Sequence, residues 1–193
     1  MKGTGVKRRI LDAATRLFYR QGIKNTGVNQ IIDEAAVAKA SFYQYFPSKD
    51  DLIIACLDYY NTAITRVVRR IIERCSTLLR FFERWAHFIK RIARINPAFN
   101  GCPIANIGFQ IEDENQKIRK KFKDITGGWV TLLLPLFRKA RAGGEIPDTA
   151  DEKALFREIM QINEGALIMW RLTEDIGYLD NLFPSLRRLI KQG

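Results

Sequence analysis

Between positions 36 and 52 the chain gathers Lys39, Ser41, Tyr43, Gln44, Tyr45 and Lys49, side chains that donate and accept hydrogen bonds at the ends of arms of different length. A lysine reaches guanine acceptors or a phosphate, a glutamine pairs with an adenine edge, and a serine hydroxyl bonds several partners. Tyr43 and Tyr45 carry hydroxyls on rigid arms suited to phosphate oxygens. Ala40 offers only a methyl, which fits a thymine. The spacing decides which way these groups point. Phe42 and Phe46 stand four apart and face a core, so Lys39, Ser41, Tyr43 and Gln44 are left together on the wet side.

The elements that must hold this face are short. Val28–Ala35 and Lys39–Tyr45 are two apolar-periodic segments separated by a few small residues, and neither buries its face without the other. That is the pattern of a helix-turn-helix, with the second helix presenting its N-terminal side chains to base edges in the major groove. Ala36 occupies the turn, where little more than a methyl fits. Ahead of it, Val6, Ile10, Ala13, Ala14, Leu17 and Phe18 form a helical stripe, and Gly22 ends that helix. Thr26 precedes the next helix, where its hydroxyl can cap the backbone or touch a phosphate.

The run from Ala36 through Lys39, Ser41, Tyr43, Tyr45, Phe46, Ser48 and Lys49 to Leu52 resembles the signature of the TetR family of transcriptional regulators, and with Gly22 and Thr26 the likeness covers about the first 52 residues. The sequence departs from the family pattern at Ala36 and Ala40, where the pattern has glycines, and at Ala38, where a serine would cap the reading helix. Helical segments along the whole chain, with no convincing strand pattern, predict an all-α protein of about nine helices, and the resemblance implies a DNA-binding domain at 1–49 and an effector-binding and dimerisation domain at 50–193. The resemblance implies DNA contacts at Lys39, Ala40, Ser41, Tyr43, Gln44, Tyr45 and Lys49, and Thr26 and Asn29 are expected to join them. Ser48 with Asp51 begins the following helix close to a capping box, and Lys49 adds a full charge at that anion-favouring end.

Charge and length agree with this reading. Residues 1–99 hold 18 lysines and arginines against 8 acids, whereas residues 100–193 hold 14 against 13, so the basic excess belongs to the front half, where it attracts phosphates. A chain of 193 residues accommodates a small reading domain and a larger one with its own core. No run matches a membrane span and the basic start lacks a signal-peptide core, so a soluble, cytoplasmic protein without membrane partners is expected. Cys56, Cys75 and Cys102 are widely spaced and odd in number, against both a disulfide framework and a metal site.

From residue 50 to about 73 one long helix follows the reading domain, and its displacement would re-aim the second helix of the pair. Further helices are expected over 76–95, up to about 111, 115–142, 151–173 and 178–191. Gly127-Gly128 and Pro135 predict a kink or break in the 115–142 segment. The last two long helices are apolar on more than one face. The family resemblance implies that they pair with a second copy as a four-helix bundle, with Phe156, Met160, Asn163, Leu167, Phe183, Leu186 and Ile190 as the expected interface. Two reading helices on a two-fold axis would span a palindromic operator, with half-sites about 34 to 36 Å apart or a multiple of that.

Trp85, Phe88, Phe109, Trp129 and Trp170 are expected either to line a pocket for a small-molecule effector of unknown identity or to be packed core. Cys102 joins them. Gly101-Cys102-Pro103-Ile104-Ala105-Asn106, with Glu112 and Glu164-Gly165-Ala166-Leu167, is similar to a branch of the family whose members respond to reactive electrophiles or small unsaturated acids. A thiol at the start of a helix is favoured as thiolate by the dipole; the alternative is a structural thiol. An enzyme is disfavoured by a single histidine, His87, and by the absence of a phosphate loop, nucleophile–base spacing or metal cluster, and no cofactor is expected. A DNA binder without an effector is the remaining alternative, and Glu112-Asp113-Glu114 reads as a solvated loop or a cation site.

Overall fold

The computed structural model describes residues 3–111 and 115–192, without the side chains of residues 3, 4 and 192. Among these residues every regular element is helical: α1 Gly3–Gln21, α2 Val28–Ala35, α3 Lys39–Tyr45, α4 Lys49–Ile72, α5 Leu78–Ile95, α6 Pro103–Gly108, α7 Gln116–Ala142, α8 Glu152–Thr173, α9 Gly177–Asp180 and α10 Leu182–Gln192. The single-turn α9 is separated from α10 by Asn181 alone. Counted as one unit with α10 it gives the nine expected. No described helix is long and apolar enough to cross a membrane.

The described residues form two compact units. The first takes the chain up to Ala63 together with Pro103–Asp124, and the second takes Ile64–Cys102 together with the chain from Ile125 onward. These units do not follow the boundary at 49/50 read from the sequence. The first part of α4, all of α6 and the start of α7 pack with the reading helices, burying Leu52, Ile53, Cys56, Leu57, Ile104, Ile107 and Ile118 beside Ile10, Phe18, Ile31 and Phe42. Polar links add to that packing. Asn115 Nδ2 donates to Asp50 at 2.8 Å, and Lys117 and Lys121 pair with Asp51 and Asp58.

In the second unit, α5, α8 and α10 surround a core that includes Phe81, Phe82, Ile89, Phe137, Phe156, Ile159, Leu167, Leu186 and Ile190. Helix α5 starts on Thr77, whose Oγ1 accepts from Arg80 N–H at 3.2 Å, and the Glu145 carboxylate takes the N–H groups of Leu78 and Leu79. Helix α8 starts on Asp151, which accepts from the N–H groups of Lys153 and Ala154. These bonds to the charged form hold the Asp151 carboxyl below its ordinary range. Of the kink or break expected at Gly127-Gly128 and Pro135, the break does not occur, since α7 runs continuously from Gln116 to Ala142. Proline removes one helical hydrogen bond, and the buried face of Ile125, Leu133, Leu136, Phe137 and Ala140 outweighs that loss.

Candidate nucleic-acid interface

The α2–α3 pair is closed by backbone geometry. Ala36 has φ 49° and ψ 55°, the left-handed conformation, and its N–H donates to Asp33 O while Val37 N–H reaches back to Ile32 O. That is the hydrogen-bond pattern of a helix ended by a glycine, here executed by alanine. The sequence reading assigned this position to limited space. The constraint is equally one of φ. Helix α3 then starts on Ala38, extended at φ −71° and ψ 144° with no side-chain cap.

On α3 the inward and outward faces separate as the spacing predicts. Phe42 and Phe46 are buried, whereas Lys39, Ala40, Tyr43 and Gln44 are exposed and Ser41 and Tyr45 are half-buried. The Tyr43 ring stands edge-on to Phe42 at 5.2 Å between centroids, which stiffens its arm, and Lys7 Nζ lies 6.0 Å from the Phe46 ring centre. Asn29 is exposed on the first turn of α2, and Gln30 beside it is engaged by Gln21 Nε2 at 2.9 Å.

Two expected contacts are corrected. Thr26 neither caps α2 nor faces outward. It is fully buried, its hydroxyl donates to Gly22 O at 2.6 Å, and Gly27 takes the N-cap position without a side-chain bond. Closing the turn after α1 uses the hydroxyl internally and leaves the start of α2 open. Lys49 is half-buried, with its ammonium donating to Ile23 O at 2.7 Å, and burial pulls its pKa down. It braces the α1–α2 corner instead of standing free as a phosphate clamp. Beside it, Ser48 Oγ accepts from Asp51 N–H at 3.1 Å and donates to Asp51 Oδ2 at 2.6 Å. This is a compact variant of the expected box. The bond to Lys117, then that to Ser48, holds the Asp51 carboxyl below its ordinary range.

Sequence reasoning missed Gln110. Its Oε1 accepts from Ile23 N–H at 2.6 Å, and its Nε2 donates to Asn106 O at 2.8 Å. Both backbone polar groups of Ile23 are therefore held by side chains, N–H by Gln110 and carbonyl by Lys49. Gly22, at φ +86°, makes room, because a Cβ there would lie 2.4 Å from Gln110 Oε1. Nothing in the sequence links residue 110 to residue 23; the partnership follows only from the fold.

In the second unit, Trp85, Phe88, Cys102, Trp129 and Trp170 are all half-buried against the same core. Trp85 stacks on Phe88 at 5.8 Å and Trp170 on Phe99 at 5.3 Å. Phe109 does not join them. It belongs to the other unit and is 72% exposed, because α6 ends at Gly108. The Cys102 thiol lies within hydrogen-bonding reach of the Glu164 carboxyl, so an acid stands where the dipole argument alone had been applied. Residues 112–114, where a cation site was considered, lie outside the described residues.

Five of the seven residues of the expected dimer face are also corrected. Phe156, Asn163, Leu167, Leu186 and Ile190 are buried within one chain, and Met160 and Phe183 are half-buried. Asn163 Oδ1 accepts from Trp85 Nε1 at 2.8 Å. The two-faced apolar pattern of α8 misled because its stronger face is spent on α5 and α10. The outward face carries Glu158, Gln161, Gly165, Met169 and Leu172, the last 72% exposed. On α10, Phe183, Pro184, Arg187, Arg188 and Lys191 line an open cavity of about 430 Å³.

Comparison with known proteins gives two family matches, residues 10–56 to "Bacterial regulatory proteins, tetR family" and residues 75–186 to "Tetracyclin repressor-like, C-terminal domain". The uncharacterized HTH-type transcriptional regulator YxaF of Bacillus subtilis is 32% identical over 88% of this chain and 86% of its own. The transcriptional regulator AcuR of Cereibacter sphaeroides is 30% identical over 84% and 75%. Among solved structures, the transcriptional regulator FadR of Bacillus subtilis in complex with stearoyl-CoA superposes with a TM-score of 0.76 at 20% identity, covering 96% of this chain and 98% of that one.

Proposed function

The chain belongs to the TetR family of DNA-binding transcriptional regulators, and from that premise we propose that it is a homodimeric repressor released from a palindromic operator by a small-molecule effector. The observation that carries the DNA-reading part is the outer face of α3, where Lys39, Ala40, Tyr43 and Gln44 stand exposed over buried Phe42 and Phe46. Lys39 and Gln44 read base edges, Tyr43 and Tyr45 bond phosphates, and Ser41 bonds whichever group it meets. Asn29 and the uncapped start of α2 add phosphate contacts, since free N–H groups and the positive dipole end favour an anion. Lys49 contributes by fixing the corner at Ile23.

A single short helix covers few base pairs, so selective binding requires a second copy. The outward faces of α8 and α10 supply the contact. Gly165 suits close approach, because nothing lies within 4 Å of a Cβ built there, and Met169, Leu172 and Phe183 supply apolar area. The effector binds in the second unit near the Trp85, Phe88 and Trp170 aromatics. The relative FadR, solved with stearoyl-CoA, supports a ligand-responsive reading without identifying this chain's ligand. An effector shifts operator affinity only by its differential affinity for the two conformations.

Gel-shift titration with the DNA upstream of the protein's own gene tests the proposal. Saturable binding that Lys39→Ala weakens and a ligand reverses supports it; equal binding of wild type and variant to that DNA and to random duplex refutes it. Sedimentation of Gly165→Leu tests the interface separately. The side chain meets open space within one chain, so the fold is kept and the dimer weakens; an unchanged dimer places the contact elsewhere.

A further inference from the structure

Glu164 lies on α8 with its carboxyl in the interior of the second unit. Asn163 Nδ2 donates to its Oε1 at 3.2 Å, the Cys102 thiol lies within reach, and Oε2 is buried without a hydrogen-bond partner. Asn163 is itself held by Trp85 Nε1 at 2.8 Å. Those neighbours are neutral, and no ion pair to Glu164 is formed among the described residues. An unpaired buried carboxyl is costly, and the cost is relieved either by protonation or by an opposite charge. Burial pushes the Glu164 pKa up, consistent with an acid lacking its counter-charge. Trp85, which holds Asn163, stacks on Phe88, and the stacked Phe99–Trp170 pair packs against the same core; these are flat apolar surfaces whose faces also attract cations.

We propose that Glu164 is the specificity-determining residue of the effector site and that the effector is a protonated amine on an apolar body. Its N–H donates to Oε2, its charge neutralises the carboxylate, and its body lies against the aromatic pairs. This deepens the proposed function and rests on the second unit's being the effector-binding part. A carboxylate ligand meets repulsion here, and a neutral ligand supplies no counter-charge to the acid.

The test uses the full-length protein and three probes of one shape: 2-phenylethylamine, 2-phenylethanol and 3-phenylpropionate, titrated at pH 7.5 by calorimetry and tryptophan emission. The amine is expected to bind at least tenfold more tightly than the other two, and Glu164→Gln is expected to remove that preference while leaving the alcohol unchanged. A second measurement needs no ligand. If Glu164 is kept for ligand binding, Glu164→Gln raises the midpoint of unfolding at neutral pH; if it is a structural acid, the substitution lowers it. Preference for the alcohol or the carboxylate, failure of the amine to bind, or a lowered midpoint overturns the proposal. Operator binding measured without ligand reports on the DNA-reading function separately, so the two readings fail independently.

Discussion

The double hold on Ile23 makes a quantitative prediction. Ile23 is 5% exposed, and its N–H donates to Gln110 Oε1. Gln110→Ala leaves that buried donor unmet, a loss of about 1–3 kcal/mol, so about 2 kcal/mol is expected from the first unit. Gly22→Ala acts twice. It forces a Cβ into the left-handed region at φ +86°, costing about 1–2 kcal/mol, and it drives Oε1 from a position 2.4 Å away, breaking the same bond. The single substitution should therefore cost about 3 to 4 kcal/mol, and the double variant little more, because the bond is lost only once. The resulting coupling of about 2 kcal/mol is what a double-mutant cycle measures for groups in contact. Trp85, Trp129 and Trp170 all belong to the second unit, so their emission does not report on the first. Amide exchange across residues 10–35 under EX2 conditions does. Additive losses in the double variant, or a Gln110→Ala loss below about 0.5 kcal/mol, would refute the argument, since a buried donor should lose more.

Ala38→Ser supplies the missing cap of α3 at a position already extended, and slower amide exchange in 39–45 by about 1 kcal/mol is expected. Gln44→Ala should relax discrimination at one A·T pair of the operator by about 1–3 kcal/mol, read by gel shift on single-base variants, whereas uniform weakening on all sequences would assign Gln44 to phosphate. The Asp51 carboxyl, held below its unfolded value of 3.8 by Lys117 and Ser48, contributes stability present above that value and lost as pH falls through the folded pKa. Asp51→Asn should therefore narrow its gap to wild type in acid-unfolding curves below about pH 4. Glu164 runs the other way. Its folded pKa is raised above 4.5, so its stability cost grows as pH rises from that value toward the folded pKa, and the advantage of Glu164→Gln in melting temperature should widen as pH rises above about 4.5 and then level off.

The reading face was legible because a short helix has few choices. With Phe42 and Phe46 four apart, the sides of Lys39, Tyr43 and Gln44 followed. The all-helical fold was legible for the same reason, from periodicity over long segments. Side-chain partners across long separations were not. Thr26 looked like a cap because the residue type and position fit, yet the turn after α1 claimed its hydroxyl for Gly22 O. Lys49 looked exposed because it sits among charged residues, yet the carbonyl of Ile23 lies within its reach. Five of the expected dimer residues turned out to be buried in one chain, because hydrophobicity marks burial without saying which neighbour provides it. Phe156, Leu167, Leu186 and Ile190 are covered by their own chain.

The first unit is not one continuous stretch of sequence, since residues Pro103–Asp124 return to it after the chain has crossed into the second and before it crosses back at Ile125. A hybrid regulator spliced after residue 63 would swap the reading helices yet leave Gln110, Asn115, Lys117 and Lys121 behind with the wrong parent. Engineers wishing to transplant this head must move both pieces together, or re-match those four side chains to the incoming Gly22, Ile23, Asp50, Asp51 and Asp58.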